Sequence, residues 1–460
     1  EIKMKISDLL PHYTKDNIDL KETEVSGISI DSRAIGVGEL FVAIVGDKYD
    51  GHDFAINAVE NGAGAVMSDR SLDLPVPVII VPNTRLALQQ MAAYYRNKWQ
   101  ISTVAITGSC GKTTTKNIIA NILAGHKETL ATSGNYNNLL GLPLTLFKLN
   151  SSHEYGVFEV GASYAGEIAR LAEILCPDVA LITNVGASHI ENMGGSVAAI
   201  AKEKGALISS LSSNGTAVIN CDDEFAPYWE SLLGARQWLG FSLNKKINPK
   251  LKMRNCVGIY TVENITQTKL GYDFVVVSGA YNLAVSINLL GRHNISNALA
   301  AVAASKAIGV PDEFILSGLA VTKPENGRLT CYGGGARLLI DDSYNANPES
   351  FNAAIDVLSG CSGKKVLLMG DMGELDSSSV DYHRDIGKKA LSKGIDELFC
   401  FGDLSKFAAE AYGERAKFYD CKDKLFQDLV VLLEDNWVVL VKGSRFVAMD
   451  QLSEKLKGLL

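Results

Sequence analysis

Apolar and polar positions change rhythm along this chain in a way that divides it. Through residues 1–98 the apolar runs are short, with 27–30, 40–44 and 78–81 reading as strands and 54–61 and 85–98 as helices. From residue 99, β-branched apolar runs take turns with helical-period stretches. The spacing predicts strands over 102–107, 155–160, 178–185 and 216–220, and helices over 114–123, 166–175, 196–211 and 295–308. Such alternation predicts a mostly parallel sheet covered on both faces. Residues 240–290 break the rhythm and read as an antiparallel insert, with strands at 258–262 and 274–277. Past Pro324 the alternation resumes, with strands over 337–341, 365–369, 397–401 and 437–441. The expectation is an α/β chain of three domains: a small α/β domain over 1–98, a central parallel-sheet domain over 99–322 and a Rossmann-like domain over 323–460.

Composition narrows the class. Hydrophobic residues make up 47% and charged residues 21% of the chain, which fits a globular protein and not a disordered one. A net charge of -8 gives no basic field to collect phosphates, so no nucleic-acid partner is expected. No apolar run reaches the roughly 18 residues that a membrane span needs. The opening Glu1-Ile2-Lys3-Met4 lacks the apolar stretch of a secretory signal. The eight cysteines are scattered without a C-x-x-C pair, and Cys400 sits in the strand-like Leu398-Phe399-Cys400-Phe401. Reduced thiols, a cytoplasmic location and no membrane insertion are therefore expected.

Chemistry enters at Thr107-Gly108-Ser109-Cys110-Gly111-Lys112-Thr113-Thr114-Thr115-Lys116, between a β-branched strand and a helix with Ile118, Ile119, Ile122 and Leu123 at helical spacing. A glycine-rich turn there aims consecutive backbone N–H groups and a helix N-terminus at one spot, which suits phosphate. Lys112 would add charge and Thr113 would offer a hydroxyl to Mg²⁺. The match is to a shortened loop, G-x-x-G-K-T, and the central domain is expected to bind a nucleoside triphosphate. Ligands of a parallel sheet collect at the carboxyl ends of its strands. Glu159 and His189 stand at such ends, and with Thr113 they make a plausible metal cradle. Asn294 and Asn297, three apart at the start of an Ala-rich helix, share a face; capping explains the first, and a base or substrate amide would explain the second. Asp341-Asp342-Ser343-Tyr344-Asn345-Ala346-Asn347-Pro348 suits ribose and base contacts, or an ordinary Asn-Pro turn. Lys442-Gly443-Ser444-Arg445 follows a strand like an anion clamp or a capping turn. Lys202 and Lys204 read by spacing alone as solvated helix lysines.

Together these stretches resemble the Mur ligase family of ATP-dependent amide-forming enzymes. The phosphate loop, Gly134-Asn135-Tyr136-Asn137-Asn138, Phe158-Glu159-Val160-Gly161, Thr183 to His189, Gly291 to Asn297 and Gly327-Arg328 match its landmarks in order. Three further stretches resemble the branch that joins D-alanyl-D-alanine to UDP-N-acetylmuramoyl-tripeptide: Asp342 to Pro348, Met369-Gly370-Asp371-Met372-Gly373-Glu374 with His383, and Lys442 to Arg445. The resemblance implies ATP and Mg²⁺ as cofactors, those two compounds as substrates, an acyl phosphate intermediate and a monomer. It places ATP on Thr107 to Thr113, Asn294, Asn297, Arg328 and Asp342. Metal falls to Thr113, Glu159, His189 and a carbamylated Lys204, with Lys202 as the neighbouring alternative. Lys112, Lys204, His189 and Arg328 would serve catalysis. Substrate contacts fall to Ser32, Arg33, Asn135, Asn137, Asn138, Asn345 and Arg445. Another Mur-type or folylpolyglutamate synthetase-like ligase is the alternative; it would keep the central domain without requiring the uridine-type first domain.

Overall fold

The structure is a computed structural model that describes residues 3–11, 22–187, 190–244, 246–268, 270–375, 377–433 and 436–460. Its centre is a nine-stranded sheet. In spatial order the strands are Tyr281–Ile287, Tyr272–Ser278, Cys256–Gln267, Trp238–Phe241, Thr216–Asn220, Val179–Ile182, Ser102–Thr107, Tyr155–Glu159 and Thr129–Ala131. The strands from Cys256–Gln267 through Thr129–Ala131 pair in parallel. Successive side chains in a strand point to opposite faces. Val104 and Ile106 accordingly enter one core with Val157, Leu181 and Val218, while Ala105 enters the other with Phe158, Ile182 and Ile219. Both faces are dry, which is why these strands read as continuous apolar runs. Each fully buried Val, Ile or Leu contributes roughly 1.5–3 kcal/mol.

One face is covered by the helices Lys112–His126 and Arg292–Ala307, the second of which is buried through Ala298, Ala300, Ala301, Ala303 and Ala304. Glu167–Leu175 and Val197–Ser209 cover the other. The expected antiparallel strands are present, Cys256–Gln267, Tyr272–Ser278 and Tyr281–Ile287 pairing antiparallel in turn, and they extend the central sheet because Cys256–Gln267 also pairs in parallel with Trp238–Phe241. The joining strand Trp238–Phe241 depends on Gly240, where a Cβ would stand 2.5 Å from the Cys221 sulfur.

The first domain holds a four-stranded parallel sheet of Ile28–Ser29, Leu40–Val42, Ala65–Ser68 and Val78–Ile80. Its last helix, Thr84–Asn97, packs on Gly141–Leu146 and Glu167–Leu175, and Tyr95 donates to the Leu149 carbonyl at 2.7 Å. The two domains thereby share one apolar core.

The third domain is a six-stranded sheet ordered Thr330–Gly334, Arg337–Asp342, Trp437–Lys442, Lys364–Gly370, Glu397–Phe401 and Ala416–Tyr419. Only the hairpin Thr330–Gly334 with Arg337–Asp342 is antiparallel. The carboxyl ends of its strands face those of the central sheet, and the site lies in the cleft between them.

Candidate active site

The phosphate loop leaves Ser102–Thr107 and enters Lys112–His126 through Gly111, whose φ of 80° favours glycine. A Cβ on Gly108 would lie 1.8 Å from Thr183 Oγ1, and one on Gly111 2.5 Å from Asn297 Oδ1. The next strand end clamps the loop. Asn184 accepts from Ser109 N–H at 3.0 Å through its carbonyl and from Cys110 N–H at 2.9 Å through Oδ1, while Thr183 donates to the Cys110 carbonyl at 2.6 Å. Lys112 Nζ donates to the Gly108 carbonyl at 2.8 Å, folding its charge over the loop.

Thr113 Oγ1 donates to Glu159 Oε2 at 2.9 Å, and Asn137 Nδ2 donates to Oε1 at the same distance. Glu159 is buried, so both oxygens need such partners. A hydroxyl and a carboxylate side by side at the loop are hard oxygen donors, the chemistry that Mg²⁺ prefers. Lys204 is buried while Lys202 is exposed. Burial, reinforced by the nearby Lys112 ammonium, pushes the Lys204 amine down to about 7. Lys204 is not among the described residues that line the cleft. His189, the fourth residue expected at a metal, falls outside the described residues.

The cleft has a volume of about 730 Å³ and is lined from both domains, by Lys112, Thr113, Glu159, Asn294 and Asn297 on one side and Arg328, Asp342 and Asn345 on the other. Asn297 Nδ2 donates to Asn294 Oδ1 at 2.8 Å, and Asn294 Nδ2 donates to the Leu290 carbonyl, so the pair is held as one unit. Burial, with Lys442 nearby, pushes the neighbouring His293 down to about 4. Arg328 stacks 4.3 Å from the Tyr344 ring centre, and its Nε, 3.6 Å from Glu325 Oε2, has no hydrogen bond among the described residues. Asp342 accepts from Leu329 N–H and, at 2.6 Å, from Lys442 Nζ. Burial pushes the Asp342 carboxyl up against the opposing pull of Lys442. Lys442 is itself buried and also reaches the Asn345 carbonyl at 3.0 Å. It braces the strand ends and also lines the cleft.

The other expected residues divide between the cleft and its surroundings. Asn135 and Asn137 line the cleft, but Asn138 does not: its Oδ1 accepts from Leu140 and Gly141 N–H and starts the helix Gly141–Leu146. Thr107 is buried beneath the loop, and its hydroxyl has no hydrogen-bond partner among the described residues. Ser32 and Arg33 sit in the first domain, Ser32 buried and Arg33 exposed in a fork with Asp31 at 2.9 and 2.8 Å. Arg445 is exposed beside the cleft, 5.7 Å from the far-reaching Tyr344 ring. His383 is wholly buried, its Nε2 accepting from Met372 N–H at 3.0 Å and its Nδ1 facing the Ser379 carbonyl at 2.6 Å, so it orders a loop.

Sequence reasoning passed over Thr183 and Asn184 as loop clamps, Tyr344 as the platform for Arg328, and Asn347 and Glu349, which reach the central domain from the third. Only Tyr344, an aromatic among amides, carried a local signal.

The chain matches family models along its length: the Mur ligase family catalytic domain over residues 24–96, the Mur ligase middle domain over 106–305 and the Mur ligase glutamate ligase domain over 327–445. A UDP-N-acetylmuramoyl-tripeptide–D-alanyl-D-alanine ligase from Escherichia coli (strain K12) is 39% identical over 436 residues, 94% of either chain. The structure of MurF from Acinetobacter baumannii is 32% identical with a TM-score of 0.91 and covers 99% of both chains. That of the MurF ligase from Thermotoga maritima in complex with ADP is 26% identical with a TM-score of 0.82, over 94% of this chain and 97% of that one. Relatives this similar over nearly their full extent, and matching domains in the same order, place the chain in the Mur ligase family.

Proposed function

We propose that the protein is an ATP-dependent amide ligase that adds D-alanyl-D-alanine to UDP-N-acetylmuramoyl-tripeptide in peptidoglycan precursor synthesis. The observation that carries this reading is the two-sided cleft. It joins a phosphate loop and buried carboxylate on one domain to Arg328 and Asp342 on the other, in a chain 39% identical to a ligase of that name. The tripeptide carboxylate attacks the γ-phosphorus of ATP, giving an acyl phosphate and ADP. The dipeptide amine then attacks the acyl carbon, loses its proton, and phosphate leaves. No enzyme nucleophile is needed, so positioning and charge neutralisation supply the rate.

Lys112 and Arg328 set positive charge against the transferring phosphoryl group. Asn294, Asn297 and Asp342 hold base and ribose. Thr113, Glu159, His189 and a carbamylated Lys204 would hold Mg²⁺, which when bound neutralises phosphate charge. The amine of Lys204 is buried beside Lys112, and among the described residues it has no ion pair; addition of carbon dioxide would turn it into an anion facing that cation. Ser32 and Arg33 lie in the domain assigned to the uridine nucleotide. Asn135 and Asn137 are assigned to the tripeptide, and Asn345 and Arg445 to the dipeptide.

The test labels the tripeptide's reacting carboxylate with heavy oxygen. One label per turnover should appear in the released phosphate by mass spectrometry. Phosphate free of label would exclude the acyl phosphate route.

A further inference from the structure

The helix Pro348–Ser359 of the third domain points its first turn at the central domain. Its cap residue Asn347 meets Cys110 of the phosphate loop, with Nδ2 3.2 Å from the sulfur. One turn position further, Glu349 Oε1 accepts from Ala187 N–H at 3.1 Å. The segment it grips is already tied to the loop from the other side: Gly186 N–H donates to Ser109 Oγ at 2.9 Å, and Ser109 Oγ donates back to the Gly186 carbonyl at 3.2 Å. A charge-assisted hydrogen bond from a backbone N–H fixes where a carboxylate sits without removing its charge. Ala187 N–H is that donor.

Gly186 supplies an independent sign. Its φ is not in the left-handed region, so its backbone would accept a side chain. The three atoms nearest to an added Cβ all belong to the Glu349 carboxyl group, at 2.5, 2.7 and 2.8 Å. The glycine therefore makes room for the Glu349 carboxyl group.

We infer that Glu349 is a positioning residue: by docking on Gly186 and Ala187 it latches the third domain onto the phosphate loop and so sets Arg328 across from Lys112. The inference rests on the ATP-site reading above. If the latch exists, nucleotide and closed domains stabilise one another, because closure completes the site and the site favours closure.

The experiment compares Glu349→Ala, Glu349→Gln, Gly186→Ala and the double variant Glu349→Ala/Gly186→Ala. Steady-state kinetics are combined with small-angle scattering of the full chain, titrated with a non-hydrolysable ATP analogue. Glu349→Ala should lower kcat/KM for ATP about tenfold, the scale of one lost charge-assisted hydrogen bond. It should raise the analogue concentration needed for compaction by a similar factor, with the melting temperature unchanged. Gly186→Ala evicts the carboxylate and should match it. Glu349→Gln keeps an acceptor oxygen and should stay near wild type. The double variant should be no worse than either single one, because the clash and the contact are the same interaction. Additive losses, or wild-type compaction in Glu349→Ala, would overturn the latch while leaving the nucleotide site standing. A wild-type chain that neither binds the analogue nor compacts would overturn both.

Discussion

Burial takes an ammonium out of water at a cost of several kcal/mol unless it is paired or neutral. Lys204 is buried on Val197–Ser209, close enough to Lys112 to be repelled by it, and its amine is pushed down to about 7. A neutral amine at that position is ready to take up carbon dioxide, and the carbamate would face the cation that now repels the ammonium. Lys204→Ala should lower turnover about a hundredfold, the scale of a lost charge contact at a phosphoryl-transfer site. Added acetate should restore part of it. Lys202→Ala should be near normal, because Lys202 is exposed. Loss on Lys202→Ala with Lys204→Ala unaffected would reverse the assignment. Spacing alone ranked the two lysines equally, since both fall on one helix and only the resemblance singled out Lys204. Burial is what separates them.

At the scale of elements, legibility followed locality. The phosphate loop, Glu159 and the Asn294–Asn297 pair were readable because each lies within a few residues of the strand or helix that holds it. Most strands were readable because both faces are dry and their residues β-branched. Ala65–Ser68 and Thr129–Ala131 were missed because they are too short to show a period. Trp238–Phe241 was missed because its glycine is explained only by the neighbouring Cys221. His383 was legible as part of a motif but not in its role, which depends on the loop after Lys364–Gly370 folding back onto Ser379–Ser392.

That role has a pH signature. Burial lowers the His383 pKa below its usual 6.5. Above that value the ring is neutral folded or unfolded, and its contribution is fully present. As pH falls below it, the unfolded chain takes the proton first and stability declines by up to about 1.4 kcal/mol per unit, until the folded ring titrates too. Denaturant midpoints measured from pH 7.5 to 5.5 (about two units of titration) should fall less steeply for His383→Gln than for wild type. Parallel slopes would remove His383 as a source of acid sensitivity.

At the scale of the whole molecule, the first and central domains share a core, whereas the third meets the central one through polar contacts and through Tyr382, packed against the Ala187, Ile190, Met193 and Ile200 cluster. Asn117 Nδ2 to Glu325 at 2.7 Å ties it near the connection, and Asn347 and Glu349 reach across the cleft. Such a small, largely polar contact separates at lower cost than a shared apolar core, so the third domain is the part suited to move during turnover. None of the interdomain partners could be read in sequence, because each pairing depends on how two separately folded sheets approach.

The central claim is the joining of one particular amine to one particular acid at that cleft. Its most direct test supplies ATP, Mg²⁺ and UDP-N-acetylmuramoyl-tripeptide, then offers D-alanyl-D-alanine, D-alanine, L-glutamate and diaminopimelate in turn, following phosphate release and product mass together. D-alanyl-D-alanine should support the fastest release, with one phosphate formed for each UDP-linked pentapeptide. Faster turnover with a single amino acid or with diaminopimelate would contradict the substrate assignment, and phosphate release without any new amide would contradict the ligase itself.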